Sequence, residues 1–188
     1  MGALNTLIEQ GGAIRADGGM VYLTAKAAGD LASSAINHTG MTEARTLSTG
    51  KKGEILLLGD MQIGATEVGG TMDVSAPNGG AGGFIETSAQ HVRVADDTQI
   101  KAGLWLIDPV DFTIGSGVGT QTSSGMGAST LASALGAGNV TIQTDAGSGG
   151  NGDIFVNSAV TWNSSSKLTL SAHRNIAINA DITAQTPG

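Results

Sequence analysis

The sequence predicts an all-β chain that folds as a right-handed parallel β-helix, a solenoid with coils of about 22 residues. The first observation behind this fold class is a repeat, because NGDIFVNSAVTWN (151–163) returns as RNIAINADITAQ (174–185) at an offset of 22 residues. The aligned positions are Ile154 and Ile176, Val156 and Ile178, Asn157 and Asn179, and Val160 and Ile182. The second is composition, with 30 glycines and an aromatic content of only 3%. A narrow core of stacked aliphatic side chains, with glycine at the corners, suits both numbers.

The strands of the carboxyl-terminal third are predicted from apolar residues that alternate with a period of two, as in a strand with one buried face. The pairs are Ile154/Val156, Val160/Trp162, Leu168/Leu170 and Ile176/Ile178. A β-sandwich also has short strands, but it has no reason to repeat its sequence at a fixed offset, whereas stacked coils do. The alternation points the isoleucines and Val156 inward, and Phe155 and Ala177 outward. We expect the glycine-rich loop before Phe155 to cover its ring.

The repeat extends upstream with one insertion. NVTIQT (139–144) matches KLTLSA (167–172) at an offset of 28 residues, and the loop DAGSGGNG (145–152) accounts for the extra six. The glycines of this loop allow the positive φ of a tight turn. Further short strands are predicted at Phe84/Glu86, Val92/Val94 and Ile100, and within 18–25, 53–60 and 66–76.

A helical pattern occurs once, within residues 116–138, which we predict to be a loop outside the coils that carries one short helix. In ASTLASALGAG (128–138), Ser129 is the expected N-cap, Leu131 and Leu135 lie four residues apart, and Gly136 is the expected stop. We expect this helix to protrude from its coil. Residues 1–188 are otherwise predicted to form a single β-helix.

Charge and cysteine content exclude several classes of function. The formal net charge is −7 and the pI is near 4.7, which argues against nucleic acid or an anionic membrane as a partner. No apolar run approaches the ~18 residues of a membrane-spanning helix, so no membrane insertion is expected. The absence of cysteine removes disulfides and thiolate chemistry, and it is compatible with secretion. MGALNTLIEQ lacks the regions of a signal peptide, and we expect Met1-Gly2 to lead into the interior of a longer chain.

Two segments carry a resemblance to a known family. GGFIETSAQHVRV (82–94) followed by LWLIDPVDFTIG (104–115) resembles the filamentous-haemagglutinin-like exoproteins of bacterial two-partner secretion. In that family a G-G-[FY]-[IV]-E-T-S segment precedes a W-L-[IL]-D-P-x-[DN] segment by about this interval. The coils before and after, from GGAIRADGGMVYLTAKAAGDL to LTLSAHRNIAINADI, are similar to coils of the same proteins. The family's Asn-Pro-Asn-Gly secretion motif is absent, and APNGG (76–80) contains only part of it.

The resemblance implies a fragment of the shaft of a longer exoprotein, secreted and held at the bacterial cell surface. Its function would be structural: presenting a distal binding or toxic region in adhesion and virulence. The implied partners of the full-length protein are a receptor or glycan on a host or neighbouring cell, and an outer-membrane export partner reached through a region that is not in this sequence. A glycan-binding β-helical module is the alternative, and a polysaccharide-cleaving β-helical enzyme is a third hypothesis.

Two small clusters are candidate sites. Trp105 and Asp108 could form a stacking platform for a sugar, although the favoured interpretation is structural, with Trp105 closing a coil and Asp108-Pro109 forming a rigid corner. Asn157 and Asn179 are predicted to form an inward-facing ladder between adjacent coils, each bonding to the turn and to its counterpart.

No catalytic, cofactor-binding or metal-binding residue is predicted, so the chain is not expected to be an enzyme. Asp96-Asp97 lies between two strands, where the pair makes a turn. His38, His91 and His173 lack ligand spacing and are expected at the surface or at corners. GSGGNGD (147–153) lacks the tandem glycine-aspartate repeat of a calcium-binding roll, in which Asp145 and Asp153 would be the first ligands to test.

Overall fold

The structure is a computed structural model that describes residues 8–25, 36–47, 52–117, 119 and 123–185. In this part of the chain, short strands account for nearly all regular structure. In chain order the elements are β1 (Ile8–Gln10), β2 (Ala13–Arg15), β3 (Met20–Thr24), β4 (Ile36–His38), β5 (Met41–Glu43), β6 (Glu54–Leu58), β7 (Ala65–Val68), β8 (Thr71–Asp73), β9 (Phe84–Ser88), β10 (His91–Val94), β11 (Gln99–Lys101), β12 (Leu104–Asp108), β13 (Phe112–Gly115), β14 (Gly125–Gly127), α1 (Ala128–Ala137), β15 (Asn139–Gln143), β16 (Ile154–Val156), β17 (Val160–Asn163), β18 (Leu168–Ser171), β19 (Ile176–Ile178) and β20 (Ile182–Gln185).

The strands form three stacks. Sheet 1 has eight strands in the order β1-β4-β7-β10-β14-β13-β16-β19, sheet 2 has four in the order β2-β5-β8-β11, and sheet 3 has six in the order β3-β6-β9-β12-β15-β18. A further two-stranded sheet pairs β17 with β20. All the named strand pairs are parallel. From β1 to β12, successive strands along the chain belong to sheets 1, 2 and 3 in turn. The predicted parallel β-helix is confirmed.

The predicted register is confirmed at the carboxyl-terminal coils. Ile154 pairs with Ile176, Val156 with Ile178 and Val160 with Ile182. The 28-residue offset between 139–144 and 167–172 is also confirmed, because β15 and β18 pair along their length. Gly149 and Gly152 in the inserted loop have the expected positive φ.

Coil length is less regular than the sequence suggested. Positions facing each other on adjacent coils are 22 residues apart at Asn157 and Asn179, but 26 apart at Glu67 and Arg93 and 28 apart at Asp17 and Arg45. Strand spacing is fixed by backbone hydrogen bonding, so the additional residues are accommodated in the turns.

The helix differs from the prediction in its ends and in its position. Its N-cap is Gly127, without a side-chain hydrogen bond, and its C-cap is Gly138, so Ser129 and Gly136 lie inside it. Leu131 and Leu135 are fully buried. The helix contacts β11 and β17 and so lies where sheet 2 would otherwise continue. It therefore does not protrude, and β14, from the same 116–138 segment, is inserted between β10 and β13 of sheet 1.

The core is a column of aliphatic side chains with few rings. Ile154 and Val156 are fully buried as predicted, whereas Ile176 and Ile178 are 43% and 59% exposed. The prediction that these last two would be buried is wrong, because no further described coil lies over them. Phe155 and Ala177 are half-buried, as expected of outward positions.

A row of glycines forms the corner that leads into sheet 3. A glycine immediately precedes five of its six strands, at 19, 53, 83, 103 and 138. A Cβ added at Gly53 would lie 1.4 Å from the carbonyl oxygen of Ala44, and one added at Gly83 would lie 1.9 Å from that of Gly53. Only glycine permits these two close approaches, the first within one coil and the second between adjacent coils. Four of the five glycines begin the pattern glycine-x-apolar-x-apolar, and Gly83 has Thr87 at its last position; the corner was not predicted from this pattern.

Candidate functional site

The structure gives Trp105 a structural role. It points inward from β12, is fully buried, and donates a hydrogen bond from Nε1 to Oγ1 of Thr87 at 3.1 Å. A ring with no exposed surface cannot stack on a sugar. The proposed stacking platform is therefore absent at this residue, and the aromatic ring fills the core instead.

Asp108 lies at the outward end of β12, opposite Ser88 of β9. Its Oδ1 atom is buried and has no hydrogen-bond partner among the described residues. Burial, reinforced by the nearby carboxylates of Asp145 and Glu86, raises the pKa of Asp108 to about 6. The three acids do not amount to a metal centre, since the described residues contain no cluster of three or more side chains able to hold a metal ion.

Asp153 is bound by basic and amide groups of the next coil. Arg174 donates to both of its carboxylate oxygens, and the backbone and side chain of Asn175 donate to Oδ1. These hydrogen bonds, those of Arg174 above all, hold the pKa of Asp153 below its usual value. The carboxylate of Asp153 therefore stabilises the contact between the coil that contains β16 and the coil that contains β19.

His38 is fully buried, so the expectation that it lies at the surface or at a corner is wrong. Its Nδ1 donates to the carbonyl oxygen of Gly69 at 2.7 Å, and its Nε2 accepts from Oγ1 of Thr42 at 2.9 Å. Burial lowers its pKa, which keeps the imidazole neutral. His91 is half-buried and His173 is exposed.

Asn157 and Asn179 are in contact, as the sequence predicted. Nδ2 of Asn179 donates to Oδ1 of Asn157 at 2.8 Å. Both side chains are exposed, however, so the ladder lies on the outside of the helix. The backbone N–H groups of the two residues donate to Ile114 and Val156, which satisfies the turns without the side chains.

A shallow groove of about 450 Å³ follows the corner between sheets 2 and 3. It is lined by glycine, alanine and serine from four successive turns, together with Asn139 and Lys101. Lys101 lies 3.6 Å from Asp73, and Oδ1 of Asn139 accepts from the backbone of Lys167. The lining contains no aromatic ring and no set of acid, base and nucleophile, so it provides no recognisable catalytic arrangement.

The outer surface of sheet 3 differs from those of the other two sheets. Sheets 1 and 2 carry outward ion pairs, which join Glu67 to Arg93, Arg15 to Glu43 and Asp73 to Lys101. Sheet 3 instead presents seven large apolar side chains from its first four strands. Leu58 is one of them, and the other six, which lie in two adjoining rows, are here called the outer apolar face: Met20, Tyr22, Leu56, Phe84, Leu104 and Leu106. This surface was not predicted, because β6 and β12 carry apolar residues on both faces and the sequence alone does not show which of them lie outside.

Among the described residues, no helix is long and apolar enough to span a bilayer. Comparison of the chain with protein-family models, with curated proteins and with solved structures found no match.

Proposed function

We propose that this chain is a structural segment of the shaft of a secreted, surface-associated bacterial exoprotein of the adhesin or haemagglutinin type. Its work is to hold a distal binding or toxic region away from the cell. The observation that carries the proposal is the continuous parallel stacking of coils along one axis. The eight strands of sheet 1 span about 34 Å, with successive strands ~4.8 Å apart.

The energetics of stacking suit a spacer. Each coil buries its inward side chains against the coils on either side, so stability is distributed along the length and no single site dominates. The last described coil presents Ile176 and Ile178 at its open end, and stacking another coil there would cover them. This geometry supports a shaft that lengthens by the addition of coils.

The cellular setting of the proposal rests on the resemblance of residues 82–94 and 104–115 to two-partner secretion exoproteins. In that setting the full-length protein meets an outer-membrane export partner and then a receptor or glycan on a host or neighbouring cell. Folding outside the cell would bury apolar surface with each added coil, which would favour outward movement of the chain.

The experiment compares two deletions in the full-length protein on its producing cells. Removing residues 154–175 excises one 22-residue coil and leaves Ile176 in the position of Ile154, its register partner. Removing residues 154–164 is the control, because it breaks the register. Surface display is measured with an antibody to a distal tag, and adhesion is measured in parallel.

If the segment is part of a shaft, removing residues 154–175 should leave both surface display and adhesion intact. Removing residues 154–164 should abolish surface display. Loss of adhesion after the in-register deletion, with display intact, would instead assign binding to this segment. Equal loss of display from both deletions would contradict the role of a coil as an interchangeable spacer.

A further inference from the structure

The outer apolar face is a contiguous surface. Its side chains lie in two rows that cross the strands β3, β6, β9 and β12. Along the first row Met20 pairs with Glu54, which pairs with Phe84, which pairs with Leu104. Along the second row Tyr22 pairs with Leu56, which pairs with Glu86, which pairs with Leu106. Neighbours in a row lie ~4.8 Å apart, so the six apolar groups form one patch interrupted by two glutamates.

Folding of the coils does not require this patch. The core is supplied by the alternate residues of the same strands, including Ile55, Leu57, Ile85, Trp105 and Ile107, all fully buried. Met20 and Tyr22 remain 56% and 54% exposed, and the other four members are half-buried beside one another. Contiguous exposed apolar surface on a protein of this size marks an interaction site.

The patch is confined to one part of the rod. The next strands of sheet 3 continue the same rows with polar residues, namely Asn139 and Thr141 on β15 and Thr169 on β18. Sheet 2 has Arg15, Glu43, Asp73 and Lys101 at outward positions. A generally apolar exterior would not show this restriction to four strands of one sheet.

Charge decides what kind of surface fits the patch. The outward positions of sheet 3 carry three acids, Glu54, Glu86 and Asp108, and no lysine or arginine within its described strands. Glu54 and Glu86 are half-buried at the surface, and Oε1 of Glu86 accepts from the hydroxyl of Ser88, whereas Oδ1 of Asp108 is buried. Face-to-face pairing of two copies would bring these acids near one another, with Lys52, which lines a small pocket with Met20 and Glu54, as the basic group at one end of the patch. A surface with basic groups among apolar ones would place cations beside Glu54 and Glu86, the two acids that interrupt the apolar rows.

We propose that the outer apolar face docks another polypeptide, through a surface on which lysine or arginine side chains accompany large apolar ones. This gives the segment a partner of its own, beyond the spacer role. The apolar rows provide the buried centre of the interface, and Glu54 and Glu86, which interrupt these rows, set its orientation through charge pairs.

The test uses the 188-residue chain and a synthetic helical peptide with leucines along one side and lysines flanking them. A scrambled peptide of the same composition controls for charge, and a leucine-glutamate peptide of the same pattern controls for hydrophobicity. Binding is measured by fluorescence anisotropy. We expect the leucine-lysine helix to bind at least tenfold more tightly than either control.

Variants locate the binding. Phe84→Ser combined with Leu106→Ser should weaken binding of the leucine-lysine helix at least tenfold, whereas Phe155→Ser, at a half-buried outward aromatic residue on sheet 1, should leave it unchanged. Glu54→Gln with Glu86→Gln should weaken it at least threefold. Removing the same charge at the exposed Asp97 and Asp181 should not. Circular dichroism and melting temperature confirm that each variant is folded.

Three results would overturn the proposal. The first is equal affinity for the patterned and scrambled peptides. The second is an affinity unaltered by Phe84→Ser with Leu106→Ser in a folded protein. The third is occupation of the face by something else, shown by Leu106→Ser abolishing either self-association in sedimentation or binding to zwitterionic lipid vesicles.

Discussion

Ile154 and Ile176 provide a matched pair of positions for testing the stack. Both are isoleucine, they pair directly on the neighbouring parallel strands β16 and β19, and both side chains lie on the same face of sheet 1. They differ in solvent exposure: Ile154 has a coil on each side and is fully buried, whereas Ile176 is 43% exposed. Substitution of each by alanine therefore measures what the neighbouring coil contributes.

The expected losses of unfolding free energy can be worked from burial. Ile→Ala removes three carbons, worth about 2.4 kcal/mol when fully buried at ~0.8 kcal/mol each, and a cavity adds about 1 kcal/mol. Ile154→Ala should therefore cost about 3 kcal/mol. At Ile176 nearly half of the residue is already in water and no closed cavity forms, so the cost should be about 1 kcal/mol.

Urea unfolding followed by circular dichroism gives both values. Fluorescence of Trp105 and Trp162, both buried, reports the same transition from the core. Because coils unfold as coupled neighbours, the comparison is made on transition midpoints at equal m-value. Equal destabilisation by the two substitutions would refute the order of the coils, and a larger loss at Ile176 would place it inside the stack.

Three further predictions follow from single residues. Gly83→Ala should destabilise the protein by about 2 kcal/mol or more in urea unfolding, because the added Cβ would meet the backbone of the adjacent coil. Gly136→Ala is the control: nothing lies within 4 Å of its added Cβ, so this substitution should stabilise the helix by about 0.5–1 kcal/mol. The pKa of Asp108 is raised to about 6, so its contribution to stability is present below its ordinary value and is lost as the pH rises through 6. Asp108→Asn should therefore stabilise the protein by about 1–2 kcal/mol at pH 7.5, after allowance for solvent screening, and have little effect at pH 3; no gain at pH 7.5 would contradict the burial of its Oδ1. Burial lowers the pKa of His38, so the contribution of its buried neutral ring to stability is present above the ordinary value near 6.5 and is lost as the pH falls below that value. Nuclear magnetic resonance should show this ring titrating below 6.5. A ring that titrates at or above 6.5 would place His38 in water.

The fold was predictable because each coil repeats the same environment. The match of Ile154 to Ile176 and of Val160 to Ile182 gave the correct strand register, since positions that stack must share size and polarity. Coil length was not predictable in the same way. Extra residues at the turns leave the strands in register and therefore leave no periodic trace in the sequence.

The interior was harder to predict where apolar residues fall on both faces of a strand. In β6 and β12 the runs ILLL and LWLI have no polar alternation to show which residues face the core. Trp105 is inside and Leu106 outside only because the neighbouring strands fix the register. His38 could not be placed either, because a histidine is buried only where specific groups, here Gly69 and Thr42, satisfy both of its nitrogens.

Among the site residues, the asparagine contact was predictable and its direction was not. The 22-residue offset brings Asn157 and Asn179 together. Whether they face inward depends on the turn, whose backbone groups are already satisfied by Ile114 and Val156. The two asparagines are therefore free to bond to each other in solvent.

The stacking of coils is the central claim, and spin-label distances along sheet 1 test it most directly. The chain has no cysteine, so labels can be attached at cysteines introduced for the purpose at outward positions 37, 93 and 177. Six strand spacings separate β4 from β19 and four separate β10 from β19, which predicts about 29 Å between positions 37 and 177 and about 19 Å between positions 93 and 177. A difference near 10 Å between the two distances is the predicted result. Equal distances, or a longer distance from position 93 than from position 37, would contradict the β-helix.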